Sequence, residues 1–543
     1  MASARFPAHL RMPSCRSRGE GSPLHKVKAL YINEMIKYSK KVSVIVILAI
    51  MTLGVIGYGA VLKLTEVSTG TFQNPAGNES EMLQQQLDYF RTEIIAIEKR
   101  IEQASDEELT ALLNEKYFME SEISRLELAI EYDIPLYSSS DYRVQLLAEI
   151  ARQKSLRQNL ASIPADDRTP QQQAQIAAID RLTGQLLDSV KSSNFRAYID
   201  LLIDQANLDS TLSAEEKTIK VENLELWYLA DPSGGLDGKT DNNIIQNALS
   251  QVETYKLSLL KNLDYTAGSS VVYPLTPAGR AEITDQLAVL EYRLRNGFNV
   301  NNNLNFNYAD MASRGMMSFG LFMIVLLTMI LAGGSVSQEI ATGSIKSLII
   351  APVKRWKIFT AKVLSLLSMS IAAVIFLYFL SMAVRGFLFG FLSGEPYVYA
   401  VNGQAGELNY YIFMLGYLLA DFIDIIVYMA LAMMLSVITR NTALSVGVSV
   451  GVYFVGSFVV QALAVLDLMG QRGEWVKFIP FSNLALAADL FPYDNYMNIF
   501  NAIGGYGIKP ETPSALFSLI YLTVLVICLG YTTLDSFVRR DIK

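Results

Sequence analysis

The chain has 543 residues, of which 51% are hydrophobic and 18% are charged, whereas soluble domains usually carry about 25% charged residues. Residues 63–313 hold 22 basic and 38 acidic side chains, a net charge of −16, and the rest of the chain holds 23 basic and 14 acidic ones, a net charge of +9. An acidic hydrophilic block therefore interrupts an apolar chain with basic flanks, which excludes a single soluble globular enzyme and a basic nucleic-acid-binding protein.

The beginning of the chain combines an irregular segment with an amphipathic one. Residues 1–23 are rich in Arg and Ser without hydrophobic periodicity, so we expect a disordered segment, with an organelle transit peptide as the alternative. In residues 24–41, apolar side chains fall near one face, with Lys37, Lys40 and Lys41 around them. This pattern predicts a helix lying in the membrane interface with its lysines reaching head groups; a plain basic flank is the alternative.

Apolar runs long enough to cross a bilayer follow, since about 20 residues span its hydrocarbon core. There are six such runs: 42–62, 315–338, 363–384, 409–439, 441–466 and 512–534. Charges bound each run, and only the fourth contains charges within it, Asp421 and Asp424. We therefore predict an all-α membrane protein with six transmembrane helices, the first at 42–62 and the other five within 314–543.

Basic residues predict the orientation of these helices. Residues 1–41 contain nine basic and two acidic side chains, and residues 339–362 contain five basic side chains against Glu339. Short flanks rich in Lys and Arg favour the cytoplasmic side. We expect a multi-pass protein of the cell membrane with both termini in the cytoplasm and residues 63–313 outside the cell. No small-residue cleavage site follows the first run, so a cleaved signal peptide is not expected.

The acidic block 63–313 has the pattern of a helical bundle. One seam has apolar residues at alternating spacings of four and three, typical of a coiled coil: Leu83, Leu87, Phe90, Ile94, Ile97 and Ile101. Four helix starts have N-cap signatures: Ser105 with Glu108, Thr169 before Pro170, Ser213 with Glu216, and Thr276 before Pro277. The seams are short, which favours a bundle of helices over one long rod.

No cofactor or metal site is expected in this chain itself. Residues 233–240 nearly match a phosphate-binding loop, but Ser233 replaces its first glycine and no buried strand precedes it, so we interpret the segment as a turn. The cysteines, Cys15 and Cys528, lie outside the acidic block, which excludes a disulfide scaffold there. Both histidines precede the first apolar run, and the carboxylates form no cluster with metal-ligand spacing.

The loop between the second and third runs carries a family pattern. An acidic residue ends the second run, a glycine and an apolar turn follow, and a proline and a basic pair precede the third run: Glu339, Gly343, Leu348, Ile349, Pro352, Lys354 and Arg355. This order resembles that of type-2 ABC transporter permeases, as do the segments 478–483 and 537–542. The resemblance covers about 24–62 and 315–543, and residues 63–313 are a large helical insert that the simplest family members lack.

The resemblance implies a permease subunit that dimerises and binds a separate cytoplasmic ATP-binding-cassette subunit, which would hold the ATP and Mg. The loop 339–362 would then contain the coupling helix. Leu348 and Ile349 offer an apolar anchor, with Lys354 and Arg355 at its rim. The alternative is that these basic residues only set the topology.

Charged residues also lie near the outer ends of the runs. Asp424 precedes Arg440, the inner end of the fourth run, by 16 residues or about 24 Å, which places Asp421 and Asp424 in the outer leaflet. Arg314 and Arg385 bound other runs at a similar level, and charges there are costly unless paired. We expect Arg385 to pair with one of the two carboxylates. A substrate-contacting polar ring and simple interfacial solvation are the alternatives.

Small residues indicate where helices approach closely. Gly54 and Gly57 lie in the first run, and Gly447 and Gly451 have GxxxG spacing in the fifth. The resemblance implies that these two helices form the dimer interface.

The leading hypothesis is a permease subunit of an ATP-driven exporter for an amphipathic or lipidic substrate, such as a peptide antibiotic, a lipid or a glycan precursor. Similar helical inserts occur in permease-like proteins related to the phage-infection protein and to type VII secretion accessories. A membrane-anchored scaffold or receptor that acts through its helical insert is therefore the alternative. We do not expect an enzyme.

Overall fold

The computed structural model describes most of the chain: residues 23–72, 79–137, 141–161, 163–164, 168–236, 242–266, 272–298, 300, 308–344, 353–391, 395–468, 477–484, 486–492 and 514–539. These residues are mostly helical, which confirms the predicted all-α class. The predicted disordered segment 1–23 lies outside the described residues except for Pro23.

Two helices begin the described chain. Helix α1 (Pro23–Ser39) covers the predicted amphipathic segment, and α2 (Val42–Phe72) contains the first apolar run and continues well past its predicted end at 62. Charge at Lys63 therefore bounds the apolar stretch but does not end the helix.

Eight helices and a two-stranded hairpin form a separate unit, which we call the acidic bundle. The helices are α3 (Glu79–Ile101), α4 (Asp106–Glu131), α5 (Arg143–Ala161), α6 (Pro170–Ser192), α7 (Phe195–Leu208), α8 (Ala214–Ala230), α9 (Asn242–Lys261) and α10 (Pro277–Arg295). Strands β1 (Leu263–Asp264) and β2 (Tyr273–Pro274) pair between α9 and α10. The core contains Leu83 and Leu87 of the predicted seam and a group of aromatic rings around Phe195, which lies 5.2 Å from Trp227 between ring centres.

Helix caps in the acidic bundle follow the sequence in three of four cases. Thr169 and Ser213 form complete capping boxes, and the Thr276 hydroxyl accepts a hydrogen bond from the Gly279 amide. The capping box predicted at Ser105 is wrong, because its side chain makes no capping hydrogen bond. There the backbone alone starts the helix, since the Ser105 carbonyl accepts from the amides of Glu108 and Leu109.

The remaining helices form the apolar part of the molecule. They are α11 (Tyr308–Gly334), α12 (Ser337–Ala341), α13 (Arg355–Phe389), α14 (Tyr410–Thr439), α15 (Thr442–Leu468), α16 (Leu486–Leu490) and α17 (Ala515–Arg539). Within the described ranges, five helical segments are long and apolar enough to cross a membrane, and they lie in α2, α11–α12, α13, α14 and α17. Helix α15 falls short of this length only within the stretch whose side chains are described, Thr442–Gly456, so the sixth span stays a prediction.

An antiparallel hairpin joins α13 to α14, and the sequence analysis missed it. Strand β3 (Tyr397–Val401) pairs with β4 (Gln404–Leu408), so that Tyr397 lies opposite Leu408. Asn402 and Gly403 form the turn with φ angles of 53° and 77°. An Asn-Gly pair between two short strands is the strongest local hairpin signal, and it stands in the sequence at 402–403.

This hairpin is where the acidic bundle meets the spans. Val289 of α10 packs against Val398 and Ala400 of the hairpin. The Asp285 carboxylate accepts a 2.5 Å hydrogen bond from the Gly403 amide. We call this end of the helices the hairpin end, and the opposite end, where α1 packs against α13, the α1 end.

Candidate functional site

Four charged side chains meet at the α1 end. The ammonium nitrogen of Lys362 lies 2.9 Å from a carboxylate oxygen of Glu34 and 2.7 Å from one of Glu339, and Lys37 is bonded to the same Glu339 oxygen. Lys362 is only 1% exposed, Glu339 3% and Glu34 4%. Two carboxylates and two ammonium groups balance in charge. We call these four residues the α1-end cluster.

The α1-end cluster joins three elements that are distant in sequence. Glu34 and Lys37 belong to α1, Glu339 to α12 and Lys362 to α13. The Glu339–Lys362 ion pair therefore joins the first and last residues of the loop 339–362. Charges removed from water need partners to be tolerated, so the buried pair fixes both ends of this loop to the interior of the protein.

Two further side-chain contacts attach α1 to the same elements. The Tyr31 hydroxyl donates to the Ser368 hydroxyl at 3.0 Å, and the Lys41 ammonium donates to the Gln338 side chain at 3.1 Å. Burial lowers the pKa of Lys41 from its ordinary value, and the ammonium groups of Lys37 and Lys362 lower it further. Lys37 and Lys41 thus contact protein groups, where the sequence predicted contacts with lipid head groups.

The sequence analysis selected Glu339 but missed its partners. The sequence feature that could have indicated a buried charge in α1 is Glu34. It is the sole acidic residue in the basic segment 24–41 and lies one turn before the buried Tyr38. Lys362 is predicted as one of the basic residues that set the topology and as the lysine that opens the third run in the family pattern, and not as a partner of Glu339. No local pattern links residue 34 to residue 362.

The structure describes some of the other predicted coupling residues. Gly343 has a φ of +73°, a conformation that favours glycine. Lys354 is exposed and precedes α13, and Arg355 donates to the Val538 carbonyl at 3.0 Å, which ties the start of α13 to the end of α17. Leu348, Ile349 and Pro352 lie outside the described residues, so their role stays a prediction.

A second group of charges lies at the hairpin end. The Arg385 guanidinium is fully buried, lies 3.2 Å from the Asp310 carboxylate and stacks over the Tyr410 ring at 4.5 Å. Arg314 stacks over the Phe413 ring at 5.0 Å. These contacts connect the first turns of α11 and α14 to the last turn of α13.

The predicted partners of Arg385 are therefore wrong: the structure pairs Arg385 with Asp310, not with Asp421 or Asp424. Asp421 follows Tyr410 by 11 residues, about 16 Å along α14, and lies too deep to reach Arg385. Its carboxylate instead accepts from the Ala487 amide of α16 at 3.3 Å. Asp310 was missed because α11 begins at Tyr308, before the apolar run does.

The four predicted packing glycines differ in their surroundings. A Cβ at Gly54 would lie 2.2 Å from the Phe319 ring, so this glycine allows close packing of α2 against α11 within the chain. A Cβ at Gly57, Gly447 or Gly451 would meet no described atom within 4 Å. The dimer interface predicted at these positions stays a prediction.

Comparison with known proteins identifies the family to which the chain is similar. A family model described as "ABC-2 family transporter protein" matches residues 28–542. The chain is similar to "Uncharacterized protein YhcI" of Bacillus subtilis (strain 168), with 28% identity over 40% of this chain and 64% of that protein. It is also similar to "Uncharacterized membrane protein YdbK" of the same organism, with 26% identity over 29% of this chain and 58% of that protein. The matches thus span less than two thirds of each relative, and no solved structure matches.

Proposed function

Since the chain belongs to the ABC-2 family of transporter proteins, it is the membrane subunit of an ABC transporter, and we propose that it exports an amphipathic or lipidic substrate. Such a subunit is multi-pass and not itself catalytic, because ATP hydrolysis takes place on a separate ATP-binding-cassette subunit. The direction of transport, the substrate class and the arrangement of subunits are our proposal.

A groove between α2 and α13 supports the substrate class. It is a cavity of about 500 Å³ lined by four apolar side chains and one hydroxyl: Leu48, Ala49, Thr52, Leu53 and Phe376. An apolar groove along two candidate spans suits an acyl chain or another apolar tail, because its walls offer van der Waals contacts and a single hydroxyl.

We place the α1 end in the cytoplasm and the acidic bundle outside the cell. The support is the excess of Lys and Arg in 1–41 and 339–362 over the segment between α13 and α14, which has Glu395 and Glu407 and no basic residue from 386 to 408. In this orientation the loop 339–362 faces the ATP-binding subunit. A second copy of the chain, or a related permease, would complete the transporter through α2 and α15.

The observation that carries the coupling proposal is the buried Glu339–Lys362 ion pair of 2.7 Å. A loop whose two ends are fixed to each other moves as one body with the helices that hold them. A force applied to the loop by the ATP-binding subunit would therefore reach α11, α13 and, through Glu34 and Lys37, α1. The loop supplies the contact, and the α1-end cluster transmits the displacement.

A charge-balanced double variant tests this role. Glu339→Gln with Lys362→Met removes one charge of each sign and leaves Glu34 and Lys37, which lie 3.9 Å apart. The wild-type chain and this variant are reconstituted in vesicles with a candidate ATP-binding-cassette protein from the same organism. We expect the variant to assemble but to lose most of the chain-dependent stimulation of ATP hydrolysis.

The matched control removes an ion pair far from the loop. Glu222→Gln with Lys256→Met eliminates a 2.8 Å pair in the acidic bundle, together with the 2.8 Å contact of Lys256 to Glu291, and it should leave the stimulation unchanged. Full stimulation in the Glu339/Lys362 variant would contradict the coupling role. If the ATP-binding protein neither binds nor responds to the wild-type chain, the scaffold or receptor alternative gains.

A further inference from the structure

A cavity of about 470 Å³ lies between the acidic bundle and the spans. Its walls come from α9, from α10, from the segment after β1 and from Pro492. Pro492 follows α16, which packs against α14 and α17. The cavity is therefore at the hairpin end.

Arg293 provides the positive charge of this cavity. Among the described lining residues it is the one charged side chain, and none of them carries a carboxylate. Glu395 and Asp310 act on Arg293 through space without a hydrogen bond, and Asp310 is already paired with Arg385. Burial lowers the pKa of Arg293 from its ordinary value, as expected for a guanidinium that is partly removed from water.

Other polar groups on the walls include the hydroxyls of Thr254, Tyr255 and Tyr265 and the side-chain amide of Gln286. The Thr254 hydroxyl already donates to the Ser250 carbonyl and the Gln286 amide to Glu282, which leaves the second amide hydrogen of Gln286 and the two tyrosine hydroxyls as donors to a ligand. A guanidinium surrounded by hydroxyls and amides suits an oxyanion, because arginine binds phosphate and carboxylate oxygens through paired N–H groups. A phosphate fits best, since it offers oxygens to several walls at once.

We propose that this cavity binds a phosphate group, carried by a lipid at the membrane surface or by a small phosphate ester. The size of the cavity admits a head group of a few heavy atoms beyond the phosphate, and its apolar walls, such as Val289 and Leu290, accept the adjoining carbon atoms. The site is independent of the proposed coupling role, because it lies at the opposite end of the helices from the α1-end cluster.

The test measures binding to the full chain, without ATP or a partner. Phosphatidylglycerol binding is followed by native mass spectrometry of the detergent-purified protein, and glycerol 3-phosphate binding by isothermal titration calorimetry. We expect the wild type to bind at least one of these probes. Arg293→Gln should weaken that binding about tenfold or more, because a charge-assisted hydrogen bond is lost, and Arg293→Lys should restore part of it.

Arg295→Gln is the matched control, since Arg295 is on the same helix and is exposed. Its binding should equal that of the wild type. Binding of phosphatidylglycerol alone identifies a lipid as the source, and binding of glycerol 3-phosphate as well identifies the phosphate head as sufficient.

The proposal is overturned if the wild type binds neither probe, if Arg293→Gln binds as the wild type does, or if Arg295→Gln loses as much. The variant Gln286→Leu keeps the positive charge of Arg293 and removes a hydrogen-bond donor from the cavity wall. If Arg293→Gln does not fold, a several-fold loss in Gln286→Leu supports the site, and unchanged binding in that variant refutes it.

Discussion

At the scale of single residues, the buried charges determine the stability of the α1 end. Exposed ion pairs contribute little to stability, but removing one member of a buried pair leaves an uncompensated charge and typically costs about 3–5 kcal/mol. Lys362 contacts two carboxylates at once and is almost fully buried. Its loss should therefore cost more than the loss of any exposed lysine.

We predict that Lys362→Met lowers the free energy of unfolding by about 3–5 kcal/mol, because Glu34 and Glu339 then lack their shared counter-ion. Thermal unfolding of the detergent-purified protein measures the change. Lys354→Met is the control, since Lys354 is exposed, and it should lie within about 0.5 kcal/mol of the wild type. Equal unfolding temperatures for the Lys362 and Lys354 variants would count against a structural role for the cluster.

A second prediction concerns Arg385. The single variants Arg385→Gln and Asp310→Asn and their double variant should show a coupling energy of about 0.5–3 kcal/mol, because the two side chains are in direct contact. Arg385→Gln combined with Asp421→Asn should be additive within about 0.5 kcal/mol, since Asp421 lies far deeper. Thermal unfolding of these variants measures both coupling energies. Strong coupling of Arg385 to Asp421 with none to Asp310 would refute the observed pairing.

The sequence revealed which residues are charged in apolar surroundings but not which of them meet. Glu339 and Arg385 stand out because each bounds an apolar run. Their partners depend on how far each helix extends beyond the apolar run and on how the helices are aligned along their axes. Asp310 shows the difficulty, since it belongs to the first turn of α11 yet precedes the apolar run by several residues.

At the scale of elements, local signals predicted three helix starts of the acidic bundle correctly, and an unused local signal marked the hairpin. Thr169, Ser213 and Thr276 cap their helices as predicted because capping depends on a few neighbouring residues. The strands β3 and β4 are only five residues long each, and their sequence was interpreted as a loop. Packing of this hairpin against α10 joins residues more than 100 positions apart, which no local pattern shows.

We predict that Asp285→Ala loosens the hairpin from the acidic bundle. The Gly403 amide loses its acceptor, so hydrogen exchange at 402–404 should become several-fold faster, as measured by mass spectrometry of the full chain. Glu282→Ala is the control, because Glu282 is exposed on the same helix and should leave this exchange unchanged. Equal protection in both variants would show that the Asp285 contact does not hold the hairpin.

At the scale of the whole molecule, one helix links the two charge clusters. Lys362 and Arg385 are both on α13, 23 residues or about 35 Å apart along its axis. The hairpin that follows α13 contacts α10 of the acidic bundle. A displacement at the loop 339–362 therefore has a continuous helical route to the hairpin end and to the bundle beyond it.

The fold class and most span positions followed from apolar length alone, because a membrane imposes that length on every crossing helix. The contacts that make the protein work as a transporter subunit do not follow from length. They depend on alignment between helices and on a partner subunit, whose contact surface is predicted from Leu348 and Ile349.

The central claim is that the loop 339–362 docks the ATP-binding subunit, and co-purification tests it most directly. The tagged chain is expressed with a candidate ATP-binding-cassette protein from the same organism, as wild type, as the double variant Leu348→Asp with Ile349→Asp, and as Leu208→Asp. Leu208 is 83% exposed on the acidic bundle and controls for the substitution itself. We predict that the wild type and the Leu208 variant retain the ATP-binding protein and that the double variant, purified in equal yield, loses it; retention by the double variant would contradict the claim.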